Sequence, residues 1–301
     1  MKELIEKKYT WIIFIIVTAF FYSGTYYYFS NIYQPEEMLG KDIRLFRNTP
    51  AWKLAKAVDK EDIEKINHLV KDKGVPIDFQ EPRFGQSLLI WATSRGKEKS
   101  VEALLKLGAD PNLRDHYDGV NALIIASGLS YYTKTKDRCE SNILRMLLQY
   151  GGDPNAVSSL KYNENGRRYG YETPLTEASG FCLEKVKLLV EVGADIDYVS
   201  EDGLGNPLEQ SLSWRQPSIV KYLLIEKKAN YRNAEKWITS QGDTITVLKR
   251  LRNWTFPLDS EDYKIKMEIV EYMKEQGEDY WSCPIPKDIR KRRPQEYLDQ
   301  Y

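Results

Sequence analysis

Short apolar runs recur along this 301-residue chain at a spacing near 33 residues, each opened by a small helix-capping residue. The openings are Thr49, Ser87, Asn121, Thr173 and Asn206. The clearest closings are Gly108-Ala109-Asp110-Pro111-Asn112, Gly151-Gly152-Asp153-Pro154-Asn155 and Gly193-Ala194-Asp195-Ile196-Asp197. A unit this small cannot bury its own apolar face, so successive units must stack. A stacked array moves the question of function from a catalytic pocket to an extended binding surface.

Residues 173–197 show the grammar most fully. Thr173 is placed to cap a helix, and Pro174 suits its first position because the missing N–H would be unpaired there anyway. Leu175 and Ala178 share one side, Gly180 breaks the run, and Val186, Leu189 and Val190 form the apolar stripe of a second helix. Gly193 then stops that helix. In the unit opened by Asn206, Glu209 stands where the acidic half of a capping box would be. Residues 52–78 keep two apolar helices with a degraded turn, as an end unit would.

Thr173-Pro174-Leu175 and the Gly-Ala-Asp turns resemble the ankyrin repeat over roughly residues 49–252. The family's His after Thr-Pro-Leu is absent, and Ile90, Ile124, Thr176 and Glu209 stand in its place. The resemblance implies an all-α solenoid of helix pairs with projecting β-hairpin fingers, and a concave face that binds protein.

Tyr9 to Pro35 carry no charged side chain, and Trp11–Phe29 is nearly unbroken apolar and aromatic. At about 1.5 Å per residue that stretch is long enough to cross a bilayer core. No small-x-small cleavage site follows, so a retained anchor is expected rather than a signal peptide. The predicted organisation is a cytoplasmic N-terminus (1–8), a transmembrane helix (9–30) and a juxtamembrane linker (31–48). About five repeats and a truncated capping repeat follow (49–254), then a capping helix (255–279) and a loosely ordered polar tail (280–301). Lys2, Lys7 and Lys8 precede the span and Glu36 and Glu37 follow it, which places the repeats outside the cytoplasm. The formal net charge of zero argues against bulk attraction to nucleic acid.

Two places break the period. Repeat three needs 32 residues from Asn121 to Asp153, where repeats two and four take 23 and 22, leaving an insertion around Ser130–Glu140. The next connection, Asp153 to Thr173, is 20 residues where its equivalents take 11, which lengthens one finger over 160–171. Insertions in solenoids map to loops and often tune binding. Both are rich in Tyr and Arg, residue types enriched at interface hot spots: Tyr131, Tyr132 and Arg138, then Tyr162, Arg167, Arg168, Tyr169 and Tyr171. Tyr is also common throughout the chain, with 21 residues, so neutral drift explains the same pattern. Arg83, Phe84, His116, Tyr117 and Trp214 are further contact candidates on finger tips and first helices, with Trp91 and Trp214 each either a contact or core.

Catalytic signatures are missing. His68 and His116 fall in different repeats, and no His-Glu-x-x-His, Cys-x-x-Cys or P-loop occurs, so no cofactor or metal is expected. An enzyme built on 253–301 would have to use Asp259, Glu261, Asp262 or Glu268, which show no paired spacing with a base or ligand. Arg290-Lys291-Arg292-Arg293 reads as a solvated stretch, with a lipid-binding patch as the alternative. Cys182 lies 13 residues before Asp195 and Cys139 lies 14 before Asp153, nearly equivalent positions in adjacent repeats. Outside the cytoplasm they could form a disulfide if the inserted loop leans inward; otherwise they are two separate thiols. Cys283 is unpaired in either case.

The expectation is a single-span membrane protein whose repeats bind another protein through the concave face and the 160–171 finger. Anchor plus short array also resembles, in architecture alone, bacterial ankyrin-type immunity proteins that occlude secreted toxins, including lipase effectors. That would place the repeats in the periplasm of the inner membrane. The alternative keeps them cytoplasmic, as a scaffold or adaptor.

Overall fold

The computed structural model describes residues 40, 42–128, 139–159, 161–162, 168–169, 172–200, 205–235 and 244–301. The predicted span 9–30 lies outside them, as do Tyr131, Tyr132, Arg138, Arg167 and Tyr171. Among the described residues no helix is long and apolar enough to cross a membrane.

Six helix pairs follow one another in the described residues. They are α1 (Trp52–Lys60) with α2 (Ile63–Asn67), α3 (Leu88–Ser94) with α4 (Glu98–Lys106), and α5 (Ala122–Ser127) with α6 (Asn142–Gln149). After a two-residue antiparallel ladder, β1 (Lys161–Tyr162) with β2 (Arg168–Tyr169), come α7 (Pro174–Ser179) with α8 (Leu183–Glu191). Then come α9 (Pro207–Ser213) with α10 (Pro217–Lys221), and α11 (Val247–Arg252) with α12 (Glu261–Glu275). First helices stack on first helices, and among the second helices α2 packs on α4, α4 on α6, α8 on α10 and α10 on α12. Leu54, Leu89, Leu123, Leu175, Leu208 and Leu251 are buried along the stack. Each such side chain contributes about 1.5–3 kcal/mol.

Local chemistry sets each first helix. The side chains of Ser87, Asn121, Thr173 and Asn206 each accept the backbone N–H three residues on, at 2.9–3.3 Å. Thr246 does the same for Lys249 at 3.2 Å. Thr49 does not: its hydroxyl donates to the Phe46 carbonyl, and α1 starts at Trp52 without a side-chain cap. The segment expected as a linker also folds over its second half. Ile43–Phe46 is a 3-10 turn that buries Leu45 and Phe46 against α1 and seals that end of the stack.

The C-terminal third departs most from expectation. α11 packs on α9 and α12 on α10, so what read as a truncated repeat and a separate capping helix is one further helix pair. It ends as its predecessors do. Gly277 adopts φ +87°, close to +91° at Gly108, and Glu278 N–H donates to Met273 O just as Ala109 N–H donates to Leu104 O. The 280–301 segment is packed rather than loose. It forms α13 (Lys287–Arg292) and α14 (Gln295–Leu298), with Tyr280 and Tyr301 buried. Tyr280 and Tyr301 enclose two cations. The Arg252 guanidinium lies 4.0 Å from the Tyr280 ring centre, and Lys266 Nζ lies 3.9 Å from that of Tyr301. Arg252 donates to the backbone oxygens of Cys283 and Tyr301, and Lys266 donates to that of Trp254 at 3.1 Å.

Glu209 does not reach back to its own cap. Its carboxylate accepts from Arg250 at 2.6 Å and from Ser213 at 2.8 Å, making a nearly buried ion pair between α9 and α11. Burial lowers the affinity of Arg250 for its proton, opposed by Glu209. The true capping box is at Thr173: Thr176 accepts its N–H at 2.7 Å and donates N–H back at 3.1 Å.

Candidate functional site

The fingers are built from tight turns that tie to one another. In the first, the Glu81 carboxylate accepts the N–H groups of Arg83, Phe84 and Gln86. In the second, Asp115 accepts those of Asp118 and Val120, and burial raises its pKa against those lowering bonds. Ser158 and Ser200 close the later turns, accepting from Glu172 and Gly205 at 2.9 and 2.6 Å. None of these four side chains was singled out in the sequence, although a polar residue six positions before the cap is a readable signal for three of them, Glu81, Asp115 and Ser200.

Adjacent fingers are joined through their backbones. His116 N–H donates to Phe84 O at 2.8 Å, and Ser159 N–H donates to Asp118 O at 2.9 Å. Such close approach excludes side chains at two turn positions. At Gly85 a Cβ would sit 2.3 Å from the His116 ring, and at Gly119 one would sit 2.2 Å from Ser159 Oγ. Both glycines also hold positive φ, at +73° and +64°.

This joining assembles a cluster. The Arg83 guanidinium stacks over the Phe84 ring at 4.8 Å, and Phe84 meets Tyr117 edge-on at 5.4 Å. Tyr117 is 49% exposed at the tip. Arg83, Phe84, His116 and Tyr117 therefore come together, which their sequence positions alone did not establish. Trp214 is elsewhere: 52% exposed after α9, it packs on Phe181 at 4.7 Å beside Gly180. Trp91 is core. Tyr162, Arg168 and Tyr169 are described only as backbone in the short ladder, which pairs Lys161 with Tyr169 and Tyr162 with Arg168.

Next to Phe181, Cys182 is bonded to Cys139, with Cα atoms 5.5 Å apart. Cys139, at the end of the insertion, is thereby tied to the turn between α7 and α8. Two further links span the same pair of repeats. Lys185 Nζ donates to the carbonyls of Ala126 and Gly128, and Glu184 accepts from Ser141 and Arg145. Lys97 has the corresponding role in the second repeat, donating to Asp59 O at 2.6 Å. On the first-helix side, the Glu177 carboxylate lies against Gly128, and burial, with Glu172 nearby, pushes its pKa up to about 7. Among the described residues no group of three His, Cys, Asp or Glu could hold a metal ion, and His68 pairs with Asp72 on an exposed helix face at 2.7 Å.

Stacked first helices, backbone-tied fingers and recurring Gly turns have a known counterpart. Residues 54–158 match the family model for ankyrin repeats (3 copies). Ankyrin repeats generally bind proteins and are generally not catalytic. The matched ankyrin segment ends at Ser158, where the long finger begins; the later pairs keep the same caps and stacking. No curated protein matches the chain.

Proposed function

We propose that this is a membrane-anchored ankyrin-repeat protein that grips a partner protein with its fingers and the adjoining first-helix face. The observation that carries the reading is the Arg83–Phe84–Tyr117 cluster. An exposed cation and an exposed phenol flank a half-buried ring that packs on the core, on turns whose backbones are already fixed. Preorganised aromatic and arginine side chains lose little entropy on binding, and they are the residue types that dominate interface energetics. The 160–171 finger extends the same surface in this reading, and Trp214 is a separate exposed aromatic on the turn after α9.

The apolar 9–30 segment supplies the anchor, and the bonded Cys139–Cys182 pair favours an oxidising compartment, hence repeats in the periplasm. There the partner would be a secreted toxin, such as a membrane-directed lipase effector, that the repeats occlude. A C-terminal phosphatase fusion tests the placement: activity supports it, and a fusion active only as a cytoplasmic reporter returns the chain to the scaffold role. Full-length chain carrying Arg83→Ala and Tyr117→Ala should lose the partner that the parent retains. Equal retention would remove the fingers from the interface.

A further inference from the structure

The basic run Arg290–Arg293 is not simply solvated. Ile289 anchors α13 in a small core with Tyr297 and Tyr301, and this seats the run against the end of the stack. Arg292 and Arg293 thereby line a cavity of about 250 Å³ together with Arg215, Asn253, Thr255 and Asp288. Arg215 comes from the turn after α9, where it holds a left-handed backbone at φ +55°. Arg293 is already braced, donating to Thr255 O at 3.3 Å and stacking at 4.9 Å on the Tyr297 ring. Arg215 and Arg292 make no side-chain hydrogen bond or ion pair with any described residue.

Three guanidinium groups against one carboxylate leave the cavity with two net positive charges. Guanidinium forks match the geometry of phosphate oxygens and bind them in paired hydrogen bonds. The volume is below the usual range for drug-sized ligands and suits a small anionic group. Asp288 adds a selective element, because it can accept a proton-bearing oxygen and repels a fully deprotonated oxyanion.

We propose that this cavity binds a terminal phosphate group, with Arg215, Arg292 and Arg293 holding the oxygens and Asp288 accepting from the protonated one. The source is either free phosphate or the monoester headgroup of an anionic lipid. The site is independent of the finger face and of the partner proposed for it.

Full-length chain in neutral detergent would be titrated calorimetrically with inorganic phosphate, with water-soluble dioctanoyl phosphatidic acid, and with sulfate. Saturable one-to-one binding of phosphate or phosphatidic acid is expected, weakened by about tenfold or more in Arg215→Gln and in Arg292→Gln. Both arginines are exposed, so the melting temperature should hold and report intact folding. Tighter binding of phosphatidic acid identifies the lipid as the source; equal binding identifies the phosphate group alone. No saturation with either probe, unchanged affinity in both variants, or sulfate binding as well as phosphate would overturn the proposal.

Discussion

Asn112 bridges two repeats with one amide: its Oδ1 accepts Asp153 N–H at 2.7 Å while its Nδ2 donates to Gly151 O at 2.9 Å. Asn155 repeats the arrangement on Asp195 and Gly193, at 2.8 and 3.1 Å. Asp78 accepts from Asp110 N–H, and Asp197 from Asn230 N–H, so the ladder extends to both sides. These bonds link successive repeats along the turns, a role the missing Thr-Pro-Leu-His histidines do not fill. Replacing Asn112 with Ala removes both bonds at an exposed site, at a cost of about 1–2 kcal/mol. Urea unfolding of Asn112→Ala should show that loss, and Asn155→Ala should match it. A change below about 0.3 kcal/mol in both would mean that apolar stacking alone sets the register.

The Cys139–Cys182 bond closes a loop across 43 residues of sequence. Chain-entropy arguments give about 4 kcal/mol for a loop of that size, an upper figure because the reduced chain retains structure. Cys139→Ser with Cys182→Ser should lower the urea midpoint. In the parent, alkylation before reduction should label Cys283 alone by intact mass. Three labelled cysteines without reductant would show the pair as free thiols.

Two groups titrate in opposite senses. Glu177 is pushed up to about 7 by burial and Glu172, from an ordinary 4.5. Between those values the folded chain holds a proton that the unfolded chain has lost, so stability falls as pH rises from 4.5 to 7. Lys266 is pushed down to about 7 by burial and by Arg252, from an ordinary 10.5. Between 7 and 10.5 the unfolded chain holds the extra proton, so stability rises with pH, by at most about 1.4 kcal/mol per unit. Melting temperature against pH should therefore dip near neutrality. Glu177→Gln should flatten the acid limb and Lys266→Met the alkaline one; a dip unchanged in both variants would contradict these assignments.

Glu209→Gln leaves Arg250 buried beside a neutral amide. Removing one partner of a nearly buried pair costs about 3–5 kcal/mol, so the α11–α12 pair should loosen. Amide exchange should quicken in α11 and α12 while α3 and α5 stay protected. Uniform acceleration would show instead that the stack unfolds as one unit.

The helix caps and glycine stops were legible because they are local. Ser87, Asn121, Thr173 and Asn206 act on N–H groups three residues away. Thr246 obeys the same rule, but its pair was split because eight residues separate α11 from α12 and Gly277 is followed by Glu-Asp rather than Ala-Asp. Long-range pairings were not readable. Glu209 finds Arg250 41 residues on, and Lys266 and Arg252 look solvated until Tyr280 and Tyr301 fold over them. Of the contact candidates, Arg83, Phe84, His116 and Tyr117 are brought together by a single backbone bond between fingers that no spacing announces.

The binding face is tested most directly by site-specific photo-crosslinking in the full-length chain. A photoreactive residue would replace Tyr117 on the finger or, as an exposed control away from it, Glu102 on the second helix α4. The account predicts a discrete partner-protein adduct from position 117 and none from position 102. Adducts from 102 alone, or equally from both, would contradict it.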